Sequence, residues 1–335
     1  MLHSLLGGSR DADRATEATN DPKPQSPHPS IGLALGGGAA RGFAHLGVLR
    51  TLMANGIHPD VIVGTSIGAV VGGCYAAGQI DPFEEWGRGL TTRGVLGYLD
   101  VSLGGSGLIT GGKLAARLEE TLGDKRIEEL PGRFAAIATE LGSGHEIWLT
   151  RGRMVEALRA SYALPGIFTP VHLGGRWLVD GALVNPVPVS AARALGARLV
   201  IAVNVNSDLL GHGSTIASHG SDEADELARK QERELRQQSG FRDIFSPERL
   251  IKRHFLGSNP GRPNISHVMM DAFNIMQDRV TRSRLAGDPP DVLISPRLGN
   301  VGLFDFHRAK EAIGIGAAAA DRAIEDIKLT LAALT

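Results

Sequence analysis

Residues 59–75, PDVIVGTSIGAVVGGCY, combine features that few folds satisfy together. Val61, Ile62 and Val63 are a short apolar run of strand type, Gly64 to Gly68 form a G-x-S-x-G turn, and the Ala-, Val- and Gly-rich continuation reads as a helix. A serine at the tip of so sharp a strand-to-helix turn sits in a strained backbone conformation with its hydroxyl presented outward. Gly64 and Gly68, two positions to either side, let strand and helix pass closely. Ser66 is the one serine in the chain that completes this pattern. The arrangement is that of a nucleophile elbow; the competing reading is a glycine-rich turn carrying an incidental serine.

Upstream, IGLAL (31–35) reads as a buried strand and GGGAARG (36–42) as the turn opening a helix that runs to about Asn55, where Gly56 closes it. With a strand at 60–64 this is a β-α-β unit, which implies parallel strands, a right-handed crossover and adjacent strand ends at 35 and 64. The loop at a helix N-terminus suits an anion. As a dinucleotide fingerprint it fails, because Arg41 stands where a third glycine would permit close helix–strand packing. As an oxyanion hole it fits, with Gly37 and Gly38 offering N–H groups to the alkoxide formed when Ser66 attacks a carbonyl. Arg41 then holds the loop or an anionic head group.

Serine needs a base. Of eleven histidines, His3 and His28 lie in a polar tail and His212, His219, His254 and His267 in a charged stretch, and none occupies a recognisable motif; His172 and His307 are the two weighed as a base. Asp180 is better placed, at the end of a strand and followed by Gly181, which permits a tight turn. A buried aspartate beside a hydroxyl has its pKa raised by desolvation and can act as the base directly. Read alone, Asp180-Gly181 is equally an ordinary turn.

The rest of the chain reads as one α/β domain. Residues 1–29 are polar and proline-punctuated and are expected to be a disordered tail, leaving 30–335 as the domain. Helices and loops are expected over 82–130 with a glycine-rich break at 103–112, strands at 134–140 and 144–150, and a helix over 153–163 ended by Pro165 and Gly166. A hairpin about Gly174-Gly175 (171–182), a short helix from about Pro188 and strands at 198–205 and 291–298 follow, with one or two amphipathic helices over 306–334. Residues 207–287 are highly charged and read as a helical insertion or cover. Net charge is −1, which gives no global field for nucleic acid. The single cysteine, Cys74, excludes an intramolecular disulfide and packs most simply as a small hydrophobe. With no long apolar run, the protein is expected to be soluble and cytoplasmic.

Taken in order, GGGAARG, GTSIG and DGA, together with RASYALPGIFTPVHLGGRWLVDGALVNPVPV, resemble the patatin-like phospholipase family, in particular its bacterial members, over about 31–205, with a weaker echo in 269–311. The resemblance implies a three-layer α/β/α domain with a mostly parallel central sheet. It implies a Ser66–Asp180 dyad and an oxyanion hole at Gly36, Gly37 and Gly38, with Arg41, Gly64, Gly68 and Gly181 as supporting residues of the site, and hydrolysis of phospholipid or lysophospholipid esters without metal or cofactor. Two other readings stay open: a general carboxylesterase with a Ser-His-Asp triad, and a non-catalytic lipid-binding regulatory protein. FRDIFSPERLIKRHFLG (241–257) mixes bulky apolar and basic residues, with Ser246 able to cap a helix from Pro247. It reads either as a peripheral membrane contact or as a lid or dimer-contact helix.

Overall fold

A computed structural model of the chain describes residues 29–98, 107–109, 111–208, 226–227, 230 and 265–335. The first unit is β1 (Ile31–Leu35), a short 3-10 turn at Ala39–Phe43, α1 (Ala44–Ala54), β2 (Val61–Thr65) and α2 (Ile67–Ala76). Helices α3 (Ile80–Arg88) and α4 (Thr92–Tyr98), strand β3 (Gly107–Ile109) and helix α5 (Gly112–Leu122) lead to β4 (Arg133–Glu140) and β5 (Glu146–Leu149). Then come α6 (Met154–Ser161), β6 (Gly166–Phe168), the hairpin of β7 (Val171–Leu173) and β8 (Arg176–Asp180), α7 (Val189–Ala194) and β9 (Leu199–Val203). The long α8 (Ile265–Gly287), β10 (Val292–Ile294) and α9 (Ala309–Leu334) complete it.

The central sheet is parallel in the order β10-β9-β1-β2-β4 and becomes antiparallel where β5, β8 and β7 join. Both faces are buried, as the unbroken apolar runs of β1 and β9 require. On one face Leu33, Leu35, Phe134 and Ile201 pack on α1, α2, α6 and α9; on the other Ala34, Val63, Ile137 and Ala202 meet α7. This is the expected three-layer α/β/α arrangement. Cys74 lies at 0% exposure in the first layer, where burial pushes its thiol up to about 12, so it acts as a hydrophobe.

One register decides where chemistry can happen. Ala136 and Ile137 of β4 pair with both β2 and β5, while Ala138 and Thr139 pair with both β5 and β8. Since a residue bonds one neighbour per edge, β2 and β8 lie end to end along the same edge of β4. Consecutive β4 residues, Ile137 and Ala138, thus face Thr65 and Asp180.

Three expectations need correction. The glycine-rich break contains β3, which pairs in parallel with β6, a second short strand that local pattern did not reveal; each needs the other. The strand expected at 291–298 is confined to Val292–Ile294, the stretch that pairs with β9. The helix expected to 163 ends at Ser161, after which Ala163 O accepts the Asp180 N–H. The tail to residue 28 and the amphipathic segment 241–257 lie outside the described residues. Among the described residues no helix is long and apolar enough to cross a membrane.

Candidate active site

Ser66 has φ 56° and ψ −125°, and stands immediately before α2. A non-glycine residue in that region costs on the order of 1–3 kcal/mol, which the surrounding packing must offset. The packing is tight: a Cβ at Gly64 would fall 2.3 Å from Ala69 N, and one at Gly68 2.2 Å from Leu35 O. The peptide N–H of Ser66 donates to Ser161 Oγ at 2.9 Å, and Ser161 Oγ–H in turn donates to Ile137 O at 2.6 Å. The elbow is thereby tied to α6 and to the same β4 residue that ends the β2 register.

Ser66 Oγ donates to Asp180 Oδ2 at 2.7 Å. Asp180 is 2% exposed, and its other oxygen accepts the Ala182 N–H at 2.8 Å. Its backbone is fixed as well, through N–H to Ala163 O and Thr139 Oγ1 to its carbonyl. Gly181 follows where a Cβ would lie 2.3 Å from Ile137 O, so no side chain fits there. Burial pushes the Asp180 carboxyl up to about 6, against the lowering pull of the Ala182 N–H and the Ser66 hydroxyl. Neither candidate histidine is here: His172 is exposed against Trp177, with ring centres 4.9 Å apart, and His307 is exposed in a turn before α9.

The glycine loop departs from expectation. Leu35 and Gly64 are register partners, so the strand ends do meet. But Gly36 N–H donates to Val203 O and Gly37 N–H to Pro186 O, each at 3.0 Å, because the loop continues hydrogen bonding past the end of β1. These two amides are not bare. The Gly38 and Ala39 N–H groups have no partner among the described residues, and both residues line the pocket beside Ser66. Ala39, at φ 47°, and Ser66 are the two non-glycine residues of positive φ among the described residues, so backbone strain gathers at this pocket. Arg41 does not line it. Its guanidinium donates to Val301 O and Asn206 Oδ1, and burial lowers its pKa, partly offset by Asp208 and Asp305.

Sequence reasoning also missed His45. Fully buried, its Nε2 lies 2.8 Å from Gly36 O, and since a carbonyl only accepts, Nε2 carries the proton. Burial lowers its pKa to about 4, so it holds the loop as a neutral ring. The pocket itself encloses about 110 Å³ and is mainly apolar. Phe43, Phe83, Trp86 and Phe306 form one aromatic wall, Leu164, Ile167 and Phe168 another, and Phe273 and Gln277 of α8 close over it. Ala39 and Ser161 lie inside the GGGAARG and RASYALPG stretches and Gln277 inside 269–311, but no role of its own was legible in the sequence for any of the three.

Against known proteins, the family model described as "Patatin-like phospholipase" matches residues 33–193, which contain both Ser66 and Asp180. An uncharacterized NTE family protein of Mycobacterium tuberculosis is 32% identical over 343 residues, spanning 91% of this chain and 94% of the relative. The chain belongs to the patatin-like phospholipase family. It is thus a member of a family of lipid acyl hydrolases. Lysophospholipase NTE1 of Yarrowia lipolytica is 35% identical over 183 residues, 53% of this chain and 13% of that much longer protein. In this member of the family the glycine loop, the elbow and Asp180 line one mainly apolar pocket.

Proposed function

We propose that this patatin-like protein hydrolyses carboxylic esters of phospholipids or lysophospholipids through an acyl-enzyme on Ser66, with Asp180 as the general base. The observation that carries the reading is the direct 2.7 Å hydrogen bond from Ser66 Oγ to a buried carboxylate at the foot of an apolar pocket, with no imidazole between them. In the first step Ser66 Oγ attacks the ester carbonyl carbon while its proton passes to Asp180 Oδ2. The carbonyl oxygen becomes an alkoxide, and the Gly38 and Ala39 N–H groups are the donors free to receive it. Collapse expels the alcohol, which takes the proton from Asp180. Water then attacks the acyl-enzyme with Asp180 again accepting a proton, and as the fatty acid leaves, Ser66 Oγ takes that proton back from Asp180, restoring the starting state.

An apolar wall suits the acyl chain, whose burial contributes about 0.8 kcal/mol per methylene. The lysophospholipase named among the relatives favours a lysophospholipid substrate. The test is covalent capture. A fluorophosphonate probe is expected to label Ser66, and Ser66→Ala is expected to lose both labelling and lysophospholipid hydrolysis by several orders of magnitude while remaining folded. Retained turnover in purified Ser66→Ala would overturn the assignment.

A further inference from the structure

Asn206 lies just beyond β9 and is 9% exposed, yet every polar atom of its side chain is used. Oδ1 accepts Arg41 Nη1 at 3.1 Å; Nδ2 donates to Gly37 O at 2.9 Å and to Gln277 Oε1 at 3.3 Å. Its own N–H donates to Asn204 Oδ1 at 3.0 Å, which fixes the backbone. The orientation of the amide is settled by its neighbours, because a guanidinium only donates and a peptide carbonyl only accepts.

The Gly37–Gly38 peptide is one of the two in this loop whose N–H has no partner among the described residues and whose residue lines the pocket; the other is Gly38–Ala39. In a planar trans peptide the C=O and N–H point to opposite sides, so whatever anchors Gly37 O also sets the direction of the Gly38 N–H. A preorganised donor stabilises a developing oxyanion because nothing has to rotate at the moment of reaction. We infer that Asn206 is a positioning residue for the acyl transfer: it grips Gly37 O so that the Gly38 N–H is aimed at the oxyanion. Arg41, anchored on Val301 O, holds the far side of the same amide, and Gln277 takes the remaining Nδ2 proton from α8. Loop and pocket cover therefore share one side chain. Gly38 has no room to spare either, since a Cβ there would lie 2.5 Å from Val205 Cγ2 and 3.0 Å from Asn206 Oδ1.

The inference rests on Ser66 being the nucleophile, so its test reads geometry and turnover separately. Asn206→Asp keeps an oxygen for Arg41 but replaces both donors with an acceptor that repels Gly37 O. On a short water-soluble ester, kcat is expected to fall at least tenfold with KM within about twofold. The preference for that ester over its thionoester, whose sulfur profits less from N–H donors, is expected to shrink, and the amide resonance of Gly38 to shift. A folded variant with unchanged kcat, an unchanged ester-to-thionoester preference, or an unmoved Gly38 resonance would overturn the inference. If the unaltered protein turns over no ester while the Gly38 resonance still moves, the positioning stands and the hydrolase reading falls. Asn206→Ala, which removes the donors without adding charge, is read by the same criteria if Asn206→Asp does not fold.

Discussion

Ser66 and Asp180 meet at 2.7 Å, but the chain delivers them by different means. Ser66 is placed by its neighbours: β2, two close-packed glycines and α2 force a positive φ within a single five-residue turn. Asp180 is placed by pairing at a distance, 114 residues along the chain, where β8 takes over the edge of β4 that β2 has just left. The cost also differs in kind. At Ser66 it is backbone strain, independent of pH; at Asp180 it is the desolvation of a carboxylate, which appears only when the group ionises.

Asp180→Asn breaks the second half of this comparison with the largest effect. The amide can still accept the Ala182 N–H and contact Ser66, so the fold is expected to survive, while hydrolysis drops by several orders of magnitude because no group takes the serine proton. In the unaltered enzyme, kcat/KM is expected to decline about tenfold per pH unit below the Asp180 pKa of about 6, measured with an uncharged ester.

The same substitution sharpens the energetic contrast. The folded-state pKa of Asp180 is raised from 3.8 to about 6, so the folded protein binds the proton more tightly than the unfolded chain. Burial of this group therefore carries no ionisation penalty well below 3.8, destabilises progressively as pH rises through 3.8 to about 6, and stays constant above. Asp180→Asn removes that term. Its stability relative to the unaltered protein, from urea melts, is expected to be about 3 kcal/mol more favourable at pH 8 than at pH 3.5. A difference independent of pH would contradict the desolvation account.

On the elbow side, Ser161→Ala strips the acceptor from the buried Ser66 N–H and the donor from Ile137 O. A loss of roughly 1–3 kcal/mol in stability is expected, with a smaller loss of activity than at Asp180, and thermal and kinetic measurements on one preparation check both. The smallest effect is expected for His172→Ala and His307→Ala. Both rings are exposed and away from the pocket, so activity within about twofold is the expected outcome. Loss of activity in either folded variant would bring back a triad.

The parts legible in sequence are those whose causes are local. The elbow, the β1–α1–β2 unit and the Gly174-Gly175 hairpin were readable because apolar periodicity and glycine placement act over a few residues. Strands β3 and β6 were not, since each is three residues long and exists through the other. Ser161 sits inside the RASYALPG stretch with no role legible there, and Asn206 lies just past the region of resemblance; their places arise from hydrogen bonds to residues remote in the chain.

The amino-acid sequence by itself determined that Ser66 would stand on a strained turn, because that strain is written in the spacing Gly64-x-Ser66-x-Gly68, and it narrowed the base to Asp180 or a histidine. Tertiary structure alone put Asp180, and neither candidate histidine, within hydrogen-bond reach of Ser66, by setting β8 end to end with β2. It also decided which loop amides are open among the described residues: Gly36 and Gly37 give their N–H groups to Val203 O and Pro186 O, while Gly38 and Ala39 have no such acceptor there. Conformational strain is a property of neighbouring residues, whereas a hydrogen-bond donor is free or taken according to what the rest of the chain packs against it.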